Sequence, residues 1–260
     1  MPELPEVETI VRALVPRLEG QTVLEGRYFP SRIFRGCFPP ELAGGRVAVV
    51  RRYGKFIIVE LDRGVLAIHL GMTGKLLFDV PLNRHTRAVW RFRDISLSLE
   101  DIRQFGRVLW AESLPEPVAA LGPDPLEIGR AALVRRATPY RTTVKGLLLN
   151  QNFLRGLGNI YVDELLFRAR IHPAQRTENI PEAAWAKLWR EMSALLKEAI
   201  RAGGSSISDY VNTAGERGSF QLQHQVYART GQPCYRCGTA IERIALVQRG
   251  THFCPRCQRS

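Results

Sequence analysis

The sequence predicts an α+β protein of more than one domain, with an N-terminal β-sandwich flanked by helices and a C-terminal helical part ending in a four-cysteine zinc ribbon. Three observations predict it: short β-rich runs between residues 22 and 111, helical periodicity after a proline-rich stretch, and two Cys-x-x-Cys pairs within the last 27 residues.

Val7, Ile10, Val11, Leu14 and Leu18 recur at helical spacing after Pro5 and stop at Gly20, so the chain opens on an amphipathic helix with an acidic leader. Seven β-rich runs follow: 47–51, 56–61, 65–70, 75–80, 88–93, 96–99 and 107–110, with Asp62-Arg63-Gly64 as a hairpin turn. Pro115, Pro117, Pro123 and Pro125 mark a hinge. Helices are expected over 131–136, 141–152, 160–169 and 181–202, the last with Trp185, Leu188, Met192, Leu195 and Leu196 on one side and Gly203-Gly204 at its end. The domain boundaries expected from these shifts are 1–114, a linker at 115–130, 131–225 and 226–260.

Cys234 and Cys237, then sixteen residues, then Cys254 and Cys257 have the spacing of one structural zinc ion, because two tight turns can each present two thiolates to a tetrahedral metal. The sixteen residues between should form a hairpin. About thirty residues cannot build a core, so the metal supplies the folding energy. The fifth cysteine, Cys37, reads as a bystander.

The formal net charge is +12. That excess predicts a polyanionic partner, with nucleic acid ahead of an anionic membrane surface. No apolar run reaches the roughly 18 to 20 residues of a membrane span. Met1-Pro2-Glu3-Leu4-Pro5-Glu6 has no signal-peptide character, so a cytoplasmic, nucleoid-associated monomer is expected. The segment from Arg229 to Ser260 holds six arginines and one glutamate, a formal +5; four thiolates on one Zn2+ leave it at about +3. A cationic ribbon suits phosphate or groove contact.

Methionine before proline is normally removed, which would leave Pro2 with a free secondary amine. An α-amino group titrates near about 8, so part of it is neutral and nucleophilic at neutral pH, unlike an ordinary lysine. On attacking a sugar C1′ a secondary amine gives an iminium, an electron sink that stays cationic because its nitrogen keeps no proton to lose. Glu3, Glu6 and Glu8 lie beside it; Glu8 reads as a partner of the helix dipole.

The opening Pro2-Glu3-Leu4-Pro5-Glu6-Val7-Glu8 and the terminal ribbon resemble the formamidopyrimidine-DNA glycosylase family. So do residues 51–55, 69–74, 101–106, 156–161 and 248–254, in order along nearly the whole chain. The resemblance implies a bifunctional glycosylase and AP lyase of base excision repair, acting on oxidised purines in double-stranded DNA with no cofactor beyond zinc. Pro2 is then the Schiff-base nucleophile, Glu3 the acid that assists sugar opening, and Glu6 a supporting carboxylate. Lys55 becomes a phosphate contact and proton donor, and Arg249 a phosphate clamp at the turn of the zinc hairpin.

His85, Arg103, Arg141 and Tyr227 are implied as DNA-binding residues. Met72, Arg103 and Phe105 are implied as the trio that fills the void left by a flipped base, and their glycine-containing turns favour exposed loops over core. Residues 152–159 resemble the family's helix-two-turn-helix, with Gly156 and Gly158 opening backbone N–H groups to a phosphate and Asn159 adding a donor. Residues 211–220 resemble a loop that closes over the flipped base. Ala228 stands where glycine is expected. Two other readings stay open: an endonuclease VIII-type glycosylase for oxidised pyrimidines, against which Leu4 argues, and a non-catalytic zinc-ribbon DNA-binding protein, which leaves Pro2, Glu3 and Lys55 unexplained.

Overall fold

A computed structural model of the chain describes residues 1–35, 42–207 and 209–259; Cys37 lies outside them. The chain forms two compact units, residues 1–120 with 200–221, and residues 121–199 with 222–259.

The first unit begins with α1 (Leu4–Leu18), whose apolar stripe, Val7, Ile10, Val11, Leu14 and Leu18, is buried as its spacing predicts. The strands are β1 (Glu25–Tyr28), β2 (Phe34–Arg35), β3 (Val47–Tyr53), β4 (Phe56–Leu61), β5 (Gly64–His69), β6 (Lys75–Phe78), β7 (Thr86–Arg91), β8 (Ser96–Glu100) and β9 (Arg107–Ala111). They make a five-stranded sheet, β2-β9-β5-β4-β3, and a four-stranded sheet, β1-β7-β8-β6. Pairing is antiparallel except between β2 and β9. One core joins α1 to both sheets, with Ile57, Leu66 and Ile68 from one and Trp90, Leu97 and Leu99 from the other. This is the expected sandwich. Burying each such side chain contributes roughly 1.5–3 kcal/mol. A short helix, α2 (Glu116–Ala119), lies in the proline-rich stretch.

Two strands escape sequence reading. Glu25–Tyr28 and Phe34–Arg35 carry charge or glycine and alternate weakly, yet each pairs along a sheet edge.

The second unit holds α3 (Arg130–Ala137), α4 (Val144–Leu149), α5 (Asn159–Ala169) and most of α6 (Glu182–Arg201), then the hairpin β10 (Glu242–Leu246) and β11 (Arg249–Phe253). The helix expected over 141–152 is shorter, because Thr143 caps it by accepting the Gly146 N–H and the backbone is extended at Asn150. The hairpin packs through Cys234, Ile241 and Cys254 on Phe167 and Val226. Residues 200–221, placed with the helical part by sequence, pack instead with the sandwich. Among the described residues no helix is long and apolar enough to cross a membrane.

Candidate active site

In the first unit the start of α1 is buried from Pro2 through Val7. Glu6, 1% exposed, accepts the Glu3 N–H on Oε2 at 2.8 Å and the Ser205 N–H on Oε1 at 2.7 Å. The first bond is half of a capping box, and the second ties the helix to a segment nearly two hundred residues later. Gly204 is required there: its φ is +79°, and a Cβ would lie 2.7 Å from Glu6 Oε1. Tyr210 donates its hydroxyl to the Gly203 carbonyl at 3.1 Å, and burial, with Glu6 adding to it, pushes its phenol well above the ordinary range. Beyond it Asn212 Oδ1 accepts the Ala214 and Glu216 N–H groups at 2.9 Å, shaping the turn of residues 212–216. Glu8 has a different job from the one its position suggested. It pairs with Arg12 and with the shielded Arg52, each at 2.9 Å; burial raises its carboxyl, and the two guanidinium groups outweigh that and hold it low.

Lys55, 8% exposed, occupies the turn between β3 and β4, and the register opposes Phe56 to His69 at the end of β5. His69 Nδ1 accepts the Gly71 N–H at 3.0 Å, so a neutral ring carries its proton on Nε2. Burial, then Lys55, Arg107 and the N-terminal ammonium, pull the His69 pKa down to about 4. An imidazole neutral at pH 7 and armed with one N–H therefore lies in the field of Lys55 and the chain terminus. Sequence reasoning missed it, although His69 opens one of the quoted segments.

Met72 and Phe105 are exposed, at 40% and 46%, on the loops 71–74 and 101–106. Arg103 is exposed on the second loop. His85 is half-buried in the turn before β7, where its carbonyl accepts the Asp101 N–H at 3.0 Å.

The second unit gathers Asn159, Tyr227 and Arg249. Asn159 opens α5 and donates Nδ2–H to the Gly250 carbonyl at 2.9 Å. Tyr227 stacks edge-on against His252 at 5.0 Å, and its N–H donates to Glu164 at 2.8 Å. Glu164 also takes the N–H groups of Gln225 and Val226; burial pushes its carboxyl up against the pull of these three bonds. Arg249 is exposed at the first position of β11, after a two-residue turn with Val247 and Gln248 at φ +45° and +58°. Beneath that turn runs a buried ion pair: Lys145 Nζ lies 2.6 Å from Asp163 Oδ1, both side chains 0% exposed. Lys145 also donates to the Gly250 carbonyl at 3.3 Å, and Asp163 Oδ2 accepts the His252 N–H at 2.8 Å. The signal for this pair was a charge inside each of two apolar helices. Arg141 sits apart from this group, exposed before α4, with Nη1 donating to the Thr138 carbonyl at 2.7 Å.

The four cysteine sulfurs, Cys234, Cys237, Cys254 and Cys257, lie within 4.8 Å of one another. Tetrahedral Zn–S bonds of about 2.3 Å place sulfurs close to about 3.8 Å apart, so the cluster fits one zinc ion.

Residues 1–108 match the family description "Formamidopyrimidine-DNA glycosylase N-terminal domain", 121–211 "Formamidopyrimidine-DNA glycosylase H2TH domain" and 231–259 "Zinc finger found in FPG and IleRS". A formamidopyrimidine-DNA glycosylase of Solibacter usitatus is 48% identical with both chains fully covered. The structure of the MutM (FPG) protein from Thermus thermophilus superimposes with a TM-score of 0.90 at 38% identity, covering 99% of this chain and 98% of that one. A Lactococcus lactis FPG variant bound to Fapy-dG-containing DNA gives a TM-score of 0.90 at 34% identity over 100% of both chains.

Proposed function

Because the chain belongs to the formamidopyrimidine-DNA glycosylase family, we propose that it excises oxidised purines, 8-oxoguanine and formamidopyrimidines, through the amine of Pro2. It is a DNA glycosylase of base excision repair with AP lyase activity, carrying one structural zinc ion on Cys234, Cys237, Cys254 and Cys257. Its partner is damaged double-stranded DNA. The endonuclease VIII-type and non-catalytic readings give way to this one.

The Pro2 nitrogen attacks C1′, and the electrons of the N-glycosidic bond leave with the base, which takes up a proton. The four-bonded Pro2 nitrogen releases its N–H proton, Glu3 protonates the ring oxygen O4′ as the sugar opens, and the nitrogen lone pair so freed forms the iminium. Loss of a C2′ proton expels the 3′ phosphate; a further proton loss along the conjugated chain expels the 5′ phosphate, leaving a one-nucleotide gap with phosphorylated ends. Lys55 contacts phosphate and delivers a proton during elimination, while Arg249, permanently charged, clamps a phosphate. His85, Arg103, Arg141, Asn159 and Tyr227 bind the DNA, and Met72, Arg103 and Phe105 fill the emptied stack. The enzyme acts as a monomer in the bacterial cytoplasm, held near the nucleoid by its +12 charge.

One observation carries this reading: the buried Glu6 carboxylate, through two short bonds, fixes the backbone of Glu3 beside Pro2. The test is strand cleavage by protein verified by intact mass to lack Met1, on duplexes carrying 8-oxoguanine opposite cytosine, an oxidised pyrimidine, or no lesion. Cleavage is expected with 8-oxoguanine and lost in Pro2→Gly. Cleavage of the pyrimidine lesion alone, or full cleavage by Pro2→Gly, contradicts the proposal.

A further inference from the structure

The loops that carry Met72, Arg103 and Phe105 come from distant parts of the chain, yet they are joined by a buried polar knot. Asp101 is 1% exposed and Thr73 5%. The Thr73 hydroxyl donates to Asp101 Oδ1 at 2.6 Å and accepts the Arg103 N–H at 3.0 Å, while Asp101 Oδ2 accepts the Gly106 N–H at 2.8 Å. Each carboxylate oxygen is thus used, one on each loop. The backbones also touch: Gly71 has φ +60°, and a Cβ on it would lie 2.4 Å from the Phe105 carbonyl carbon, so only glycine permits the approach.

The joined pair is braced on both sides. Gly71 is tied to His69 at 3.0 Å. Arg32 donates to the carbonyls of Arg103 at 2.8 Å and Gln104 at 3.2 Å. The guanidinium groups of Arg103 and Arg32 lie 4.6 and 5.5 Å from the centre of the Phe105 ring.

Neither Thr73 nor Asp101 has a part in the chemistry above, and burial keeps both from contacting DNA. From this geometry we infer that they are positioning residues: their knot makes one rigid wedge of the two loops, in fixed register with His69 and Lys55. The inference rests on the stack-filling reading of Met72, Arg103 and Phe105. A side chain pushed into a base stack meets a restoring cost, and a wedge already ordered before binding pays no additional ordering entropy. Thr73→Val keeps the shape but leaves the Arg103 N–H and one Asp101 oxygen without their partner, freeing the loops to part.

The test uses the zinc-loaded full chain lacking Met1 and compares two single-turnover rates. One is base excision from an 8-oxoguanine:cytosine duplex; the other is cleavage at a preformed abasic site in single-stranded DNA, which has no stack to fill. In Thr73→Val the first rate is expected to fall about ten-fold or more and the second to stay within about three-fold, the change expected of one unmade buried hydrogen bond. Thr73→Ser, which keeps the hydroxyl, restores excision. Unchanged excision in Thr73→Val overturns the lock, and so does an equal fall in both rates together with Tm, which marks a merely structural role. Phe105→Ala separates the premises. Normal duplex excision by that variant would remove the stack-filling reading and the inference with it, whereas loss in Phe105→Ala with none in Thr73→Val removes the lock alone.

Discussion

The two units hold their reactive groups by different physical means. In the first, the N-terminal segment is fixed by a buried carboxylate, Glu6, whose charge is met by backbone N–H groups at 2.7 and 2.8 Å. In the second, the turn that presents Arg249 is held by an ion pair, Lys145 with Asp163, and by the four-cysteine cluster. Backbone donors stabilise a carboxylate through partial charges that the fold itself holds in place. A buried ion pair and a metal instead make the hairpin stiff at the expense of desolvation, which suits the phosphate clamp proposed for Arg249. On the proposed reading, one unit serves to tune the amine of Pro2 and the other to place the fixed charge of Arg249.

Breaking the second unit should therefore cost most. Removing zinc with a chelator is expected to unfold the ribbon, since structural zinc contributes on the order of 10 kcal/mol to such modules. Hydrogen exchange over residues 232–258 should rise and DNA binding should fall; an ordered ribbon after verified zinc loss contradicts this. Next comes Lys145→Met, which leaves Asp163 buried at 0% exposure with its His252 contacts but without the Lys145 ammonium, and should cost about 3–5 kcal/mol. Adding Asp163→Asn should recover part of the lost Tm, and no loss in the single variant would make the pair dispensable.

The first unit should respond to pH through His69. Its pKa is about 4 in the folded chain against an ordinary 6.5, so between these values the unfolded chain binds more protons. The contribution of neutral His69 to stability is then complete above pH 6.5 and is lost progressively as pH falls towards about 4. An NMR titration of His69 with its midpoint near 4 agrees, and a midpoint near 6.5 does not. The smallest effect is expected at Ala228, whose φ of +59° a β-carbon disfavours. Ala228→Gly should raise stability by about 0.5 kcal/mol, the relief of left-handed strain offset by glycine's added freedom when unfolded. A drop in Tm contradicts it.

The sandwich was legible because β4 and β5 are runs of apolar and β-branched residues and β8 alternates Ser with Leu, and α1 because its stripe keeps one period. Strand β1 was not, since Glu-Gly-Arg-Tyr carries no alternation and is held by its neighbour β7. The four cysteines could be named because their short spacing delivers the geometry, and Pro2 and Glu3 because the opening segment resembles that of the family. Thr73 with Asp101 and Lys145 with Asp163 could not, because these contacts span 28 and 18 residues and appear only once strands and helices are placed. A charged residue within an apolar run reads as a solvated face until its partner is seen.

The most direct test of the whole account is borohydride trapping on an 8-oxoguanine:cytosine duplex with protein lacking Met1, followed by peptide mapping of the adduct. A covalent adduct whose reduced linkage maps to the nitrogen of Pro2 is expected. An adduct mapped to Lys55 or any other amine, or no adduct from active protein, would contradict it.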